Sequence, residues 1–422
     1  MIKVGIIGVG TVGSSVVKIL QKNKDIITAR AGKEIIPLIG VVKNLKKERD
    51  LDIKLSDNID DILDDESIDI VVELMGGIDE AFSVVKKALE KGKSVVTANK
   101  AMLAYHRYEL QQSSKKLPIG FEASVAGGIP IIKALREGLS TNHIISIKGI
   151  MNGTCNYMLT KMMSEGAEFD EILQEAKDLG YAEADPSFDI GGFDAAHKLL
   201  ILASIAYGID AKPEDILIEG IENINSEDIF FANEFGYSIK LLTIAKKIGE
   251  SVELRVHPTL INKNEMIAKV DGVMNGVSVV GDCVGETMYY GPGAGGDATA
   301  SAVIADIIDI VRDGNNSPML GFKKALEHGK LKLKNADEVF TKYYVRIEVE
   351  DKIGVLSQIS NILGEQNISI SSFLQKQSKN AKFATLLFST HQCFEKDIQK
   401  ALKKISKCEF VKQFPAMIRI EE

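Results

Sequence analysis

The stretch GYAEADPSFDIGGFDAAHK, residues 180–198, brings four carboxylates (Glu183, Asp185, Asp189 and Asp194) up to a single lysine, Lys198. An almost wholly apolar run, 199–207, follows at once. Asp194 and Lys198 stand four apart, so on a helix they project from one face. A lysine at the mouth of a buried helix, ringed by carboxylates, can exchange a proton or bind an amino-acid zwitterion. An ordinary helix-start salt bridge accounts for the same two residues. The remainder of the chain decides between these readings.

The elements that must position this cluster begin at the amino terminus. KVGIIGVGTVG, residues 3–13, is a short apolar strand running into Gly8, Gly10 and Gly13, and a helical pattern follows over 14–20. In strand–turn–helix order this is a dinucleotide-binding fingerprint. Gly8 allows the tight turn, Gly10 lets the backbone approach a pyrophosphate, and Gly13 lets helix and strand pack closely. The helix amino end attracts the anion. A glycine-rich turn with no ligand has the same pattern. Further strand-like runs at 35–42, 68–74, 94–97 and 117–122 alternate in their later part with helical patterns at 81–91 and 105–115. That spacing predicts an α/β fold, a Rossmann-like doubly wound parallel sheet. After its second strand the chain reads VVKNLKK, 41–47, with no acid for a ribose 2′-hydroxyl. Lys43 and its neighbours therefore favour NADP over NAD, although a solvated basic loop explains them equally.

From about residue 149 the texture changes. Helical patterns around 170–179 and strand-like runs at 253–257, 266–270 and 276–280 predict an α+β substrate and dimerisation domain. GPGAGGDAT, 291–299, leads into an apolar helix, a second glycine turn that suggests a return to the nucleotide side; a plain loop has the same pattern. The tail reads strand 343–349, loop and helix 351–364, strands 368–375 and 383–389, helix 394–406 and strand 410–420. That βαββαβ order is ferredoxin-like. The expected domains are 1–130 with a return helix at about 296–314, then 131–295, a lysine-rich linker at 315–340, and 341–422.

Composition bounds the function. At 422 residues, 45% hydrophobic and 26% charged, the chain has the make-up of a multidomain soluble protein. A net charge of −8 argues against a general nucleic-acid binder. Cys155, Cys283, Cys393 and Cys408 lie far apart without C-x-x-C spacing, giving no disulfide or zinc framework. No apolar run is long enough for a bilayer, and the amino terminus has no signal-peptide pattern. The cytoplasm is the expected compartment, with no membrane partner. The histidines are scattered singly and are expected to be structural.

Taken together, the motifs resemble homoserine dehydrogenase with an appended ACT domain, over nearly the whole chain. They are the opening glycines, TANK at 97–100, FEASVAGGIP at 121–130, NGTCNY at 152–157, the 180–198 stretch and GAG at 293–295. The resemblance implies interconversion of L-homoserine and L-aspartate 4-semialdehyde with NAD(P)(H), on the route to threonine, methionine and isoleucine. It implies that Lys198 and Lys100 carry the proton chemistry and that Glu183 and Asp194 position the amino acid. The cofactor would meet Gly8, Gly10, Thr11, Val12, Gly13, Lys43, Thr97, Lys100, Gly180, Glu183 and Gly295. Glu122, Val125, Gly127 and Ile129 match the family's sodium ligands; without the resemblance, 122–129 is a tight glycine turn. Asp351, Gly354, Val355 and Leu356 match the ACT ligand loop, implying L-threonine as effector and a homodimer or homotetramer. Ala184 stands where the family often has proline, and Cys155 where a hydroxyl is common. Two rival readings remain at this point. One is a phosphorylating semialdehyde dehydrogenase using Cys155 as nucleophile; the other is a non-catalytic sensor of NADP and amino acids.

Overall fold

A computed structural model describes residues 1–114, 117–313, 317–324, 331–377 and 382–421. The chain divides into two compact units. The first comprises Met1–Gly153, Asp194–Asp215 and Val273–Lys332; the second comprises Thr154–Phe193, Ile216–Gly272 and Leu333–Glu422. Among the described residues no helix is long and apolar enough to cross a membrane.

The first unit opens with β1 (Ile2–Ile7), α1 (Thr11–Lys22), α2 (Lys24–Ala31), β2 (Ile35–Val41) and β3 (Lys54–Ser56). It continues through α3 (Asp60–Leu63), β4 (Ile70–Glu73), α4 (Asp79–Glu90), β5 (Ser94–Thr97), α5 (Lys100–Ser113) and β6 (Ile119–Gly120). The six strands form a parallel sheet in the order β3-β2-β1-β4-β5-β6. The order reverses direction between β1 and β4, the switch point where such sheets bind nucleotides beyond their carboxyl ends. Every residue of β4 is buried, as expected of a strand covered on both faces. The Gly296–Asp313 helix packs on this sheet too: Ala300, Val303, Ile304 and Ile307 share one core with Val4, Val16, Val17 and Val72.

Helix α5 begins five residues before the expected 105, because Asn99 caps it: its side chain accepts from Met102 N. Its expected last residue, Lys115, lies outside the described residues. The same unit holds three antiparallel strands, Ile144–Ile150, Met274–Gly281 and Gly285–Pro292, in that order of pairing. Its Phe193–Tyr207 helix is buried from Asp194 through Ile205. That burial accounts for a sequence apolar on all sides.

In the second unit Tyr237–Ile248 and Ser251–Asn262 form a long antiparallel hairpin. The sheet continues through Ala416–Glu421, Phe340–Glu350, Phe383–Thr390 and Ile370–Gln377. With helices Val355–Gly364 and Glu395–Ile405 these last strands complete βαββαβ around Tyr343, Val345, Phe388, Ile398 and Leu402. Two expected strands differ. At 266–270 the chain makes a 3-10 turn, Ile267–Lys269, with Lys269 N bonded to the Met266 carbonyl and Val270 N to the Ile267 carbonyl, so the local amides are spent within the segment rather than on a ladder. The final strand starts at Ala416 rather than 410. Pro415 has no N–H for a ladder, and Val411 makes only an isolated bridge to Val349. Of the expected linker, 315–316 and 325–330 lie outside the described residues.

Candidate active site

Gly192, with φ +85°, turns the chain into the Phe193–Tyr207 helix, so that Asp194 and Lys198 occupy its first turns. Asp194 is 4% exposed and Lys198 is 9% exposed. The Lys198 ammonium donates to Asp194 Oδ2 at 2.7 Å and to the Met151 carbonyl at 2.7 Å. Asn152 Nδ2 donates to the same carboxylate oxygen at 2.9 Å. The other oxygen, Oδ1, lies 3.0 Å from the Lys100 ammonium. Burial works against ionising Asp194, but Lys198, Lys100 and Asn152 together outweigh it and hold its carboxyl well below the ordinary range. The result is one carboxylate between two cations. His197, next to it in the helix, packs edge-on to Tyr105, and burial lowers its pKa, so at neutral pH it is an uncharged packing residue.

Lys100 is the first residue of α5, immediately after the carboxyl end of β5, which places it at the nucleotide-binding end of the sheet. At that end the glycine turn has the geometry its sequence predicts. Gly8 adopts φ +99°, and a Cβ there would stand 2.4 Å from the Leu74 carbonyl oxygen. A Cβ on Gly13 would meet the Gly8 oxygen at 2.4 Å, whereas Gly10 faces open space. Helix α1 has no side-chain cap, which leaves the first-turn amides of Thr11, Val12 and Gly13 to a ligand or water. A cavity of about 380 Å³ opens here, lined by Gly8, Gly10, Val41, Lys43, Arg49 and Met75. An uncapped helix start beside a glycine cradle and two cations suits a dinucleotide phosphate. Gly295, at φ +118°, precedes the Gly296–Asp313 helix, and Gly296 approaches so closely that a Cβ would be 2.7 Å from Ser15 Oγ. Thr97 is fully buried. A larger open hollow of about 840 Å³ lies at the opposite, amino end of the strands, by Ile2, Ile70 and Ser94. It is remote from all these residues.

Arg49 escaped the sequence reading. Its guanidinium donates to the Val9 carbonyl at 3.1 Å and to Asn44 and Lys47 carbonyls, tying the lysine loop to the glycine turn. A cation a few residues after a strand lacking a terminal acid is the signal that points to it.

Along 121–130, Glu122 is buried and its two carboxylate oxygens accept from Ile132 N at 2.8 Å and Lys133 N at 2.9 Å. Burial first, and then neighbouring Asp306, pushes its pKa up to about 7. Ala126 and Gly127 are both left-handed, and a Cβ on Gly127 would lie 2.6 Å from the Gly293 oxygen. Among the described residues no cluster of His, Cys, Asp or Glu suits a metal ion. The loop does offer backbone carbonyls. Those of Glu122 and Ile129 each accept one amide, leaving a second lone pair. Such a donor set suits a hard monovalent ion.

In the second unit, Gly180 at φ +74° follows the Phe169–Asp178 helix, and Tyr181 N bonds back to the Ala176 carbonyl. Glu183 is exposed on the next loop. Cys155 is fully buried and its thiol donates to the Asp189 carbonyl at 3.2 Å, the surroundings of a structural thiol rather than a nucleophile. In the tail, Asp351 N donates to the Lys382 carbonyl. Gly354 at φ +89° starts the Val355–Gly364 helix without a side-chain cap. Val355 is buried there and Leu356 exposed.

Comparison with known proteins agrees along the whole chain. Residues 130–308 match the family model "Homoserine dehydrogenase", 8–118 match "Homoserine dehydrogenase, NAD binding domain", and 343–410 match "ACT domain". A homoserine dehydrogenase of Helicobacter pylori is 56% identical over 420 residues, covering 100% of this chain and 99% of the relative. The crystal structure of a homoserine dehydrogenase from Thiobacillus denitrificans superposes with a TM-score of 0.94 at 44% identity, covering 100% of this chain and 98% of that one. A hyperthermophilic archaeal homoserine dehydrogenase in complex with NADPH matches 73% of this chain and 97% of its own, with a TM-score of 0.62 at 30% identity. With a nucleotide-binding sheet, a two-lysine carboxylate site and an ACT tail, the chain belongs to the homoserine dehydrogenase family.

Proposed function

We propose that this NAD(P)-dependent homoserine dehydrogenase interconverts L-homoserine and L-aspartate 4-semialdehyde through the Lys198–Asp194–Lys100 cluster. The nicotinamide, when bound, supplies or accepts the hydride. Lys198 moves the proton on the substrate oxygen. An ammonium has three N–H donors; two go to Asp194 and the Met151 carbonyl, and the third remains for the substrate. In the reductive direction that proton passes to the aldehyde oxygen as the alcohol forms. In the oxidative direction Lys198 must first be a free amine.

Asp194, together with Glu183, is assigned to the substrate ammonium; a carboxylate has about four acceptor positions and three on Asp194 are used by Lys198, Asn152 and Lys100. The cofactor is assigned to Gly8, Gly10, Thr11, Val12, Gly13, Thr97 and Gly295, with Gly180 and Glu183 at the nicotinamide. Lys43 and Arg49, with no acid at the end of β2, favour NADP over NAD. The carbonyls of Glu122, Val125, Gly127 and Ile129 would hold sodium, and their part is to stiffen the loop. L-threonine is the proposed effector at Asp351, Gly354, Val355 and Leu356. The working assembly is a homodimer or homotetramer, and the compartment the cytoplasm.

The shared carboxylate between Lys198 and Lys100 carries this reading. Its test is Lys198→Ala, assayed by NADPH absorbance in both directions. The expected result is a fall in kcat of about a hundredfold or more with little change in homoserine KM. Turnover close to wild type refutes the role.

A further inference from the structure

Glu73 ends β4 and is fully buried, although the strand it closes, IVVE, is otherwise apolar. A buried carboxyl is costly unless bonded, and this one takes no part in the proton transfer above. Where a local rule is broken inside an otherwise consistent strand, a functional demand is the usual reason. Its surroundings identify the demand. Glu73 stands at the switch point, paired with Ile7 on one side and Thr97 on the other. Oε2 accepts from Thr97 Oγ1 at 2.6 Å and Oε1 from Met75 N at 2.8 Å. One carboxylate thereby fastens two loops that follow neighbouring strands.

The first loop runs from Leu74 to Ile78. Leu74 and Met75 line the nucleotide cavity, and the Leu74 carbonyl is the group that Gly8 must clear. Gly76 and Gly77 adopt φ +75° and +81°, and no atom would crowd a Cβ on either, so side-chain packing does not fix their course. Polar ties do. Met75 N reaches Glu73, and the Gly77 carbonyl accepts from Asn99 Nδ2 at 2.8 Å.

The second loop delivers Lys100. Thr97 Oγ1, having donated to Glu73, accepts from Asn99 N at 3.0 Å. Asn99 then caps α5 by accepting from Met102 N at 3.0 Å, and Lys100 is the next residue. Its ammonium meets Asp194 at 3.0 Å, and Asp194 holds Lys198. An unbroken series of bonds therefore links Glu73, Thr97, Asn99, Lys100, Asp194 and Lys198.

We propose that Glu73 is a positioning residue for the reaction: acting through Thr97 and Asn99, it sets where Lys100 stands against Asp194 and Lys198. The proposal rests on the roles given to Lys100 and Lys198. It also explains a threonine rather than valine at 97, since only a hydroxyl both donates to Glu73 and accepts from Asn99 N. Glutamine at 73 would fail by mismatch. Both partners donate, and an amide has only one acceptor oxygen, so its NH2 end would face either the Thr97 hydroxyl proton or Met75 N–H and leave that donor without an acceptor.

The experiment compares Glu73→Gln, Thr97→Val, Thr97→Ser, Lys100→Ala and the Glu73→Gln/Thr97→Val double variant, each as the full chain. Steady-state kinetics would be paired with NADPH binding by fluorescence and with melting temperature. Glu73→Gln and Thr97→Val are expected to lower kcat by about tenfold or more, since small misplacements of reacting groups are that costly. In Glu73→Gln, homoserine KM and NADPH affinity should move less than about threefold; Thr97→Ser should retain more kcat than Thr97→Val, and the double variant should be no worse than the poorer single one. Full kcat in Glu73→Gln and Thr97→Val, with Lys100→Ala impaired, overturns the positioning role alone. Full kcat in Lys100→Ala overturns the role of Lys100 and this proposal with it. If Glu73→Gln does not fold, Thr97→Val against Thr97→Ser decides the matter: equal impairment in the two refutes the proposal.

Discussion

Asp194 shows how much a single residue can organise. Unpaired, a buried carboxylate would take up a proton; between Lys198 and Lys100 it stays charged and fixes both. Asp194→Ala should raise homoserine KM by about tenfold or more, measured by initial rates at saturating NADP, and an unchanged KM would remove it from the substrate ammonium. Glu122 behaves oppositely. Burial and Asp306 push its pKa up to about 7. Between the ordinary glutamate value and about 7, the folded chain keeps a proton that the unfolded chain has lost. Stability therefore falls as pH rises through that window. In sodium-free buffer the melting temperature should decline from pH 5 towards 7, and Glu122→Gln should flatten that decline. An equally steep decline in the variant would show that other groups cause it.

At the scale of elements, the geometry of the two lysines depends on how α5 meets the Phe193–Tyr207 helix. Lys100 and Arg107 lie two turns apart on α5, and Arg107 is buried. Its guanidinium donates to Ser204 Oγ on the other helix, to the Ala104 carbonyl and to the Ala211 carbonyl at 2.7 Å. Arg107→Met keeps much of the volume but strands these acceptors. The expected cost is about 2–4 kcal/mol in urea unfolding, with kcat reduced as well. Unchanged stability would mean that apolar packing alone fixes the two helices. Neither this clamp nor the Glu73 series is visible as a motif. Arg107 and Ser204 are 97 residues apart, and nothing in their neighbours announces a partner.

At the scale of the whole molecule, the tail is part of the second unit's sheet as well as a candidate regulator. Ala416–Glu421 pairs in parallel with Ser251–Asn262, and Arg255 donates to Glu421 at 2.7 Å within the buried interior. Deleting 341–422 would bare that strand and remove the Glu421 partner of Arg255, so truncation cannot isolate regulation. Gly354→Val is the sharper probe, because φ +89° suits glycine only. On the proposal that threonine is the effector, its inhibition should disappear in this variant while basal kcat stays within about twofold; persistent inhibition would place the effector elsewhere. The parallel sheet, the glycine turn, the Asp194–Lys198 pair and the βαββαβ tail were legible in the sequence, because each is written in short-range periodicity or spacing. The strand at 266–270 was misread because an apolar run of five can close into local 3-10 bonds, and the last strand because Pro415 delays the ladder. Only the tertiary structure brought Lys100 to Asp194, Arg49 to Val9 and Glu73 to Thr97, since those meetings come from strands and helices distant along the chain. Local pattern dictates which faces are apolar, but burial chooses the polar partners, and a polar group finds its partner only once water has been excluded.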